Sequence, residues 1–587
     1  MVNMTIIDLL RDRASRNAKD IAFRFMDNGE LDGPITEWTF SELYHQSAGV
    51  AEDLIEQSLT GSSILLAFPP GLDFVKAFYG CLLAGARAVP VPLPNPRSKN
   101  PLGRILNTAA SCGASTVLTN KQLAEMVATM VSELPVHLRP VTDHTGTNFT
   151  GPRAEMDEIA YLQFTSGSTG HPKGVSISHF NAVSNLRVMG QMLRLDSTKP
   201  AIVWAPHYHD LCLVGHILGP VYYGYESTLM SPLEFVSKPV RWLRAMSHYK
   251  IANTACPNFG YEYAVRRIKP EDCEGLDLSH WIVAGNGGEP VLPQTMEKFI
   301  KKFGPYGFRP QAFMPTYGMA ESVLFVSGLK SLSQPPKVLT LNPADLERHT
   351  VSVLADNEPS GHKVVSCGKP GANHQVIAID PVTLTPCNAN QVGELWVKGP
   401  SVPSGYWGLP EESSVTFDGR LAGTNEGPFL RNGDLGFVAD GETYLTGRLK
   451  DLIIIAGRNH YPSDIELSVQ QSGAPVRLGA CAAISMSENG AEEIVIIAEV
   501  DDRQIPAGVQ SEGPGAKSID TFWASAVKTV QGAVSTGHGL SVRTVVFVEP
   551  RSLEKTSSGK PRRQHYKNLF LKGKLAVLHQ KQSPQTV

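Results

Sequence analysis

Eleven residues, Phe164-Thr-Ser-Gly-Ser-Thr-Gly-His-Pro-Lys-Gly174, hold three glycines, four hydroxyls and one lysine. Anionic oxygens seek such a run, because glycine leaves backbone N–H groups bare and the hydroxyls add further donors. It departs from the P-loop pattern, where Gly-Lys-Ser/Thr closes the loop, since Lys173 stands between Pro172 and Gly174. Thr165, Ser166, Gly167, Ser168, Thr169 and Gly170 are candidate phosphate-clasping positions. Lys173 would offset charge on a leaving pyrophosphate.

Four further blocks follow in order: Pro315-Thr-Tyr-Gly-Met-Ala-Glu321, Arg431-Asn-Gly-Asp-Leu-Gly436, Gly447-Arg-Leu-Lys-Asp451 and Lys555-Thr-Ser-Ser-Gly-Lys560. Singly, each has an ordinary reading. Glu321 would be a solvated carboxylate, Asp434 a turn former behind glycine, and Lys450 a solvated lysine at a strand start. All five in order do not arise by chance.

The elements that must carry these blocks read as strand, turn, helix. Ile64–Phe68 is an apolar run, Pro69-Pro-Gly71 turns it, Asp73–Leu83 has helical apolar spacing, and Ala88–Pro92 is extended again. This alternation makes the fold class α/β, with a mainly parallel sheet covered by helices. Val117–Leu118 and Ile159–Phe164 read as further buried strands. The Ser/Thr/Gly loop leaves the second of these directly, where open α/β sheets bind ligands. Beyond Lys450 the pattern changes to short strands at Ile494–Val500 and Val542–Val548 around a helix near Ile519–Val534, with a Gly/Pro-rich loop at Asp502–Lys517. The expected division is a large unit at 1–449 and a small, mobile α+β unit at 450–587.

Composition narrows the function classes. Hydrophobic residues make up 42%, charged residues 19%, and the net charge is −3. A nucleic-acid binder would show a basic excess. No run approaches the length of a membrane span, and the N-terminus lacks a signal peptide's apolar core. Eight scattered cysteines without a CxxC pair argue against a zinc site or disulfide framework. A cytoplasmic protein is expected.

On its five blocks the chain resembles the acyl-adenylate-forming superfamily of acyl-CoA synthetases, luciferases and peptide-synthetase adenylation domains. The resemblance implies that carboxylate plus ATP gives acyl-AMP plus pyrophosphate. It assigns the loop to the β- and γ-phosphates and Glu321 to Mg²⁺. Thr316 and Tyr317, with Gly318 and Met319 beside them, fall at the α-phosphate and adenine. Asp434 falls at the ribose hydroxyls, and Arg448 at the ribose and phosphate. Lys560 would reach the substrate carboxylate and α-phosphate, and Lys450 is the hinge. Asn286-Gly287-Gly288-Glu289-Pro290 resembles the strand end that cradles adenine, where close approach needs glycine.

Pro206-His-Tyr-His-Asp-Leu-Cys-Leu-Val-Gly215 resembles the block gating the acyl pocket, with His209 at its histidine. Asp210 and Pro257-Asn-Phe-Gly-Tyr261 resemble the fatty acyl-AMP ligase branch, although Cys212 stands where that branch commonly has glycine. About 45 residues separate Glu321 from Cys367. Loops that long are uncommon, and the stretch at about 330–357 resembles an insertion of that branch. Val338, Leu339, Leu341, Val351, Val353 and Leu354 could pack it on a surface. There the insertion restrains the small unit against coenzyme A, and the acyl group passes to the phosphopantetheine of an acyl carrier protein. The chain ends about 27 residues past Lys560, so the carrier is expected to be a separate molecule. A fatty acyl-CoA synthetase is the alternative. A non-catalytic acyl or nucleotide sensor is a third reading, opposed by the presence of Lys173, Glu321, Asp434, Arg448 and Lys560.

Overall fold

The computed structural model describes residues 4–94, 100–130, 134–147, 149–165, 172–328, 333–356, 358–455, 458–488, 491–505, 516–555 and 561–582. A six-stranded sheet runs in the order His137–Pro140, Thr116–Thr119, Ser63–Leu66, Arg87–Pro90, Ile159–Thr165, Lys173–Ser178. Its first five strands are parallel, and the last turns back antiparallel. A nine-stranded sheet has six parallel strands at its centre, among them Asn253–Cys256, Val283–Asn286 and Phe313–Gly318. The expected strands and the two expected helices are present, each within a few residues of its sequence bounds.

The helix Leu72–Leu83 shows why the two sheets form one body. Eleven of its twelve residues are buried, so it has no solvent face. It shares a core with Leu66 and Tyr161 of the first sheet and Phe25, Val203 and Leu229 of the second. A helix apolar nearly all round is one enclosed by its neighbours. Even Lys76 is buried there, with its Nζ 3.2 Å from both Asp73 and Asp143.

A third, antiparallel sheet joins Gln375–Ile379, Gly393–Lys398, Leu430–Ala439 and Glu442–Arg448. Asp434 therefore sits inside a strand rather than at a turn. The preceding Gly433 adopts φ +80°, and the ladder shifts register opposite this stretch. Such an irregularity re-aims side chains, and here it turns Asp434 inward. Lys450 lies in a short 3₁₀ turn, Leu449–Asp451, rather than at a strand start.

Beyond that turn, Val476–Glu488, Ala491–Val500, Val542–Val548 and Val577–Gln582 form a separate sheet. One face packs Ile496 and Phe547 against Ile465, Val469, Trp523 and Val530 of two helices. The other buries Ile484 and Val546 under Tyr566.

The insertion is ordered where it is described. Val338–Leu341 pairs antiparallel with His362–Val365, and a short helix spans Pro343–Leu346. Leu341, Leu346 and Val351 enter one core with Leu435, Phe437 and Tyr444 of the third sheet and Tyr461 beyond the turn. Val353 does not pack as expected: it is 58% exposed.

Candidate active site

Every described candidate residue lines a single cleft of about 2400 Å³ between the parallel sheets, the third sheet and the C-terminal sheet. Ser166, Gly167, Ser168, Thr169, Gly170 and Lys560 lie outside the described residues. The ends of the Ser/Thr/Gly loop are fixed, since Thr165 and Lys173 are register partners on neighbouring antiparallel strands.

One side of the cleft is built from strand ends. Phe313–Gly318 brings Thr316 and Tyr317, and the adjacent Val283–Asn286 releases the chain into Gly287 and Gly288. A Cβ on Gly287 would stand 2.4 Å from Thr316 Oγ1, and one on Gly318 would collide with the Leu324 carbonyl at 1.8 Å. These two positions admit no side chain because Thr316 and Leu324 pack directly against them, and both glycines line the cleft. Glu289 Oε1 accepts from the Phe259 backbone N–H at 2.5 Å, and Asn258 Oδ1 accepts from Leu292 N at 3.1 Å. The two motif segments thus form one wall.

Asp434 is buried at the centre of a network. Its Oδ2 accepts from Tyr317 OH at 3.0 Å and from Asn432 Nδ2 at 2.7 Å, while its Oδ1 accepts from Arg448 Nε at 2.8 Å. The Arg448 guanidinium is held strongly cationic, chiefly by Asp434, with Glu321, Asp451 and Tyr317 also acting on it. Burial and the Asp434 charge push the Tyr317 hydroxyl well above its ordinary range, so it stays a donor.

Glu321 is recessed, and burial raises its carboxyl above the usual range. Its Oε1 accepts from Tyr406 OH at 3.0 Å. Lys173 Nζ lies 5.1 Å from the centre of the Tyr406 ring, a cation–π distance. Tyr406 therefore links the phosphate-loop lysine to the carboxylate. Nothing in its sequence surroundings marks it, because the contact spans 85 positions.

Elsewhere on the lining, His209 caps the helix that opens at Asp210, and its Nδ1 is 2.6 Å from Asp210 Oδ1. Gln163, on the strand that feeds the phosphate loop, donates to the Tyr208 carbonyl at 3.0 Å. The gate and the loop are thereby joined through one side chain.

Sequence reasoning missed two further groups. Asn432 orients Asp434 and also accepts from the Asp434 N–H at 3.0 Å. Arg563, three residues beyond Lys560, grips buried Glu466 through two nitrogens at 2.7 and 2.8 Å, and reaches Asp451 at 2.6 Å. The start of the helix Arg563–Leu571 is thus tied to the residue after Lys450. Only the run of two arginines after Pro561 hinted at an anion partner.

The insertion and the strand that follows it also meet residues beyond the 3₁₀ turn. The Glu347 carbonyl accepts from Asn459 N at 3.0 Å and from Asn459 Nδ2 at 2.9 Å. Its carboxylate lies 3.6 Å from Arg458 and 3.7 Å from His460, and His362 stands 3.8 Å from Asp464.

The AMP-binding enzyme family matches residues 10–407, and the family described as the Disco-interacting protein 2-like AMP domain matches residues 450–580. The chain is 39% identical over 582 residues to the medium-chain-fatty-acid–[acyl-carrier-protein] ligase JamA of Moorena producens, covering 97% of this chain and 96% of that protein. It is 36% identical over 580 residues to FadD21 of Mycobacterium tuberculosis, named as a fatty-acid–CoA ligase, with 96% and 97% covered. The structure of a fatty acyl-adenylate ligase from Legionella pneumophila, in complex with acyl adenylate and pyrophosphate, matches with a TM-score of 0.74 at 35% identity, covering 98% of both chains. The chain belongs to the AMP-binding enzymes, in their fatty acyl-AMP ligase branch.

Proposed function

We propose that this protein activates a fatty acid with ATP to the acyl-adenylate, releases pyrophosphate, and passes the acyl group to the phosphopantetheine thiol of a separate acyl carrier protein. The observation that carries the reading is the convergence of Thr316, Tyr317, Glu321, Asp434 and Arg448 on one cleft. In the first step a carboxylate oxygen attacks the α-phosphorus and the bond to the β-phosphate oxygen breaks. In the second the thiol sulfur attacks the acyl carbon and AMP leaves. Both reactants of the first step are anionic, so positioning and charge stabilisation dominate.

A carboxylate offers about four acceptor sites, and three at Asp434 are taken by Tyr317, Asn432 and Arg448. Receiving two ribose hydroxyls requires one of these donors to leave. Arg448 is the one free to do so: its side chain is 53% exposed, and from Asp434 it can swing to a phosphate oxygen. Lys173 and the loop hydroxyls would hold the departing pyrophosphate, and Lys560 would pair with the carboxylate and α-phosphate.

Glu321 suits a hard cation shared with phosphates, being a recessed single carboxylate. Among the described residues no group of three or more His, Cys, Asp or Glu could hold a metal alone. When bound with ATP at Glu321, Mg²⁺ would neutralise charge on the phosphate oxygens.

The carrier protein as acceptor is supported by the name of JamA and by the insertion's grip on Asn459. Lys450 would be the hinge between units at 1–449 and 450–587, with Arg563 and Asp451 anchoring its far side. The second reading, a CoA ligase, is favoured by the name of FadD21. Among the described residues no helix is long and apolar enough to cross a membrane. A cytoplasmic location accords with this reading.

The deciding measurement is mass spectrometry of products from ATP, Mg²⁺ and dodecanoate, with and without CoA. Acyl-AMP that persists with CoA present is expected, and rapid conversion to acyl-CoA would overturn the carrier-protein reading. Removing the insertion is a poor test of the same point, because Leu341, Leu346 and Val351 would leave Phe437 and Tyr444 uncovered.

A further inference from the structure

One stretch of the cleft lining is apolar. Ala255 and Val283, on adjacent parallel strands, line it, and Met189 and Leu193 of the helix His179–Leu193 face the same space. The wall beyond His209 is formed by a π-helix, Leu213–Leu218. π-turns are rare and frequently mark functional sites. This one is held in place by two wholly buried tyrosines. Tyr79 OH donates to the Ile217 carbonyl at 2.8 Å, and Tyr225 OH donates to the Gly215 carbonyl at 2.5 Å.

That turn carries His216 into the cleft lining, where it is only 2% exposed. Its Nδ1 is buried with no hydrogen-bond partner. Burial holds the ring neutral, with its pKa pushed down to about 3. A neutral imidazole carries one N–H donor and one lone-pair acceptor. Leaving a buried polar atom unmatched is unfavourable, and an alkyl chain offers it nothing. The preceding residue leaves space on the same lining: a Cβ on Gly215 would find its nearest atoms at 4.0 Å, in Leu324 and Met189. Seven helical residues from His209 correspond to about 10 Å, so this group faces the body of the acyl chain rather than its carboxyl end.

We propose that His216 is a specificity-determining residue that hydrogen-bonds a hydroxyl carried part-way along the acyl chain, so that the substrate class is a hydroxylated fatty acid. This rests on the adenylation reading above. One hydroxyl can meet either nitrogen, because it both donates and accepts. A site built to pair with a substrate hydroxyl discriminates strongly against the analogue that lacks it.

The test is ATP–pyrophosphate exchange with the wild-type protein, comparing dodecanoate with its monohydroxy isomers, repeated with His216→Leu and His216→Gln. At least one mid-chain isomer should exceed dodecanoate in kcat/KM by roughly tenfold or more. His216→Leu should bring the ratio near one, and His216→Gln should retain part of it. Dodecanoate preferred over every isomer by the wild type would overturn this inference while leaving adenylation intact. An unchanged ratio in His216→Leu would overturn the residue assignment. If no acid supports exchange, the adenylation reading falls and this one with it. The wild-type comparison stands even if a variant fails to fold.

Discussion

Two regions of the molecule are held in different ways. Around Asp434 the contacts are charge-assisted hydrogen bonds of 2.7–3.0 Å on a buried carboxylate. At the seam between residues 347–362 and 458–464, the Glu347 and Asp464 carboxylates stand 3.6–3.8 Å from Arg458, His460 and His362, and the true hydrogen bonds run from Asn459 to the Glu347 carbonyl. Pairs at such spacing are worth little when partly exposed. The contrast suggests a division of labour. On the proposed reading the Asp434 side is preorganised, as a site that stabilises developing charge must be. Apart from Tyr461, which shares a core with Leu341, the seam's polar contacts would be the ones to part in a gating motion.

The largest effect should come from breaking the tight side. Asp434→Ala removes the acceptor for three donors and, on the proposed reading, for the ribose. With charged hydrogen bonds worth ~1.5–3 kcal/mol each, kcat/KM for adenylation should fall by roughly 10²–10³-fold. ATP–pyrophosphate exchange at saturating fatty acid measures it. A loss under about tenfold would mean that the network is structural and that the contrast with the seam is false.

These two regions also differ in how far the sequence revealed them. The nucleotide side was legible because backbone chemistry dictates it: Gly287 and Gly318 admit no Cβ, and the residues around them arrive at strand ends in an α/β order. What escaped was reach. Tyr406 meets Glu321 across 85 positions, and Tyr317 meets Asp434 across 117. No local pattern encodes such pairings. Asp434 itself looked like a turn residue because Gly433 has turn chemistry, yet neighbouring strands on both sides keep the segment in a sheet. At the seam the insertion's apolar residues were visible, but only the fold distinguishes Leu341, which is buried against Phe437, from exposed Val353. Glu347 and Asn459 gave no sign at all, since the stronger contact is a main-chain carbonyl.

A middle-sized effect should appear at the seam on acidification. Burial lowers the pKa of His460, which faces Glu347, Arg458 and His538, and of His538, which faces Asp464, His362 and Glu347. Their folded pKa values lie below the unfolded value of about 6.5. The stability they contribute is therefore complete above that pH and is lost as pH falls toward the folded values. Asp464 has the opposite sign, since burial raises its pKa and protonation relieves it. Its contribution sets in as pH falls through that raised folded value, so it offsets part of what the histidines lose. Amide hydrogen exchange at residues 458–464 should quicken, relative to Phe313–Gly318, between pH 7.5 and 6 after correction for intrinsic rates. Equal protection at both pH values would show that the seam is as firm as the nucleotide side.

The smallest effect sharpens the comparison most. Glu347→Ala deletes the carboxylate that faces Arg458 and His460 but leaves the carbonyl that holds Asn459. A pair of that spacing and exposure is worth ~0.2–1 kcal/mol, so any acyl-CoA formed should rise by less than about fivefold. Asn459→Ala removes the side-chain hydrogen bond of 2.9 Å, worth about 1 kcal/mol, and should raise acyl-CoA at least as much. The order of the two variants carries the argument. If Glu347→Ala released far more acyl-CoA than Asn459→Ala, the seam would be an electrostatic latch. Its ionic pairs, not the main-chain contact, would then decide whether the C-terminal sheet can move.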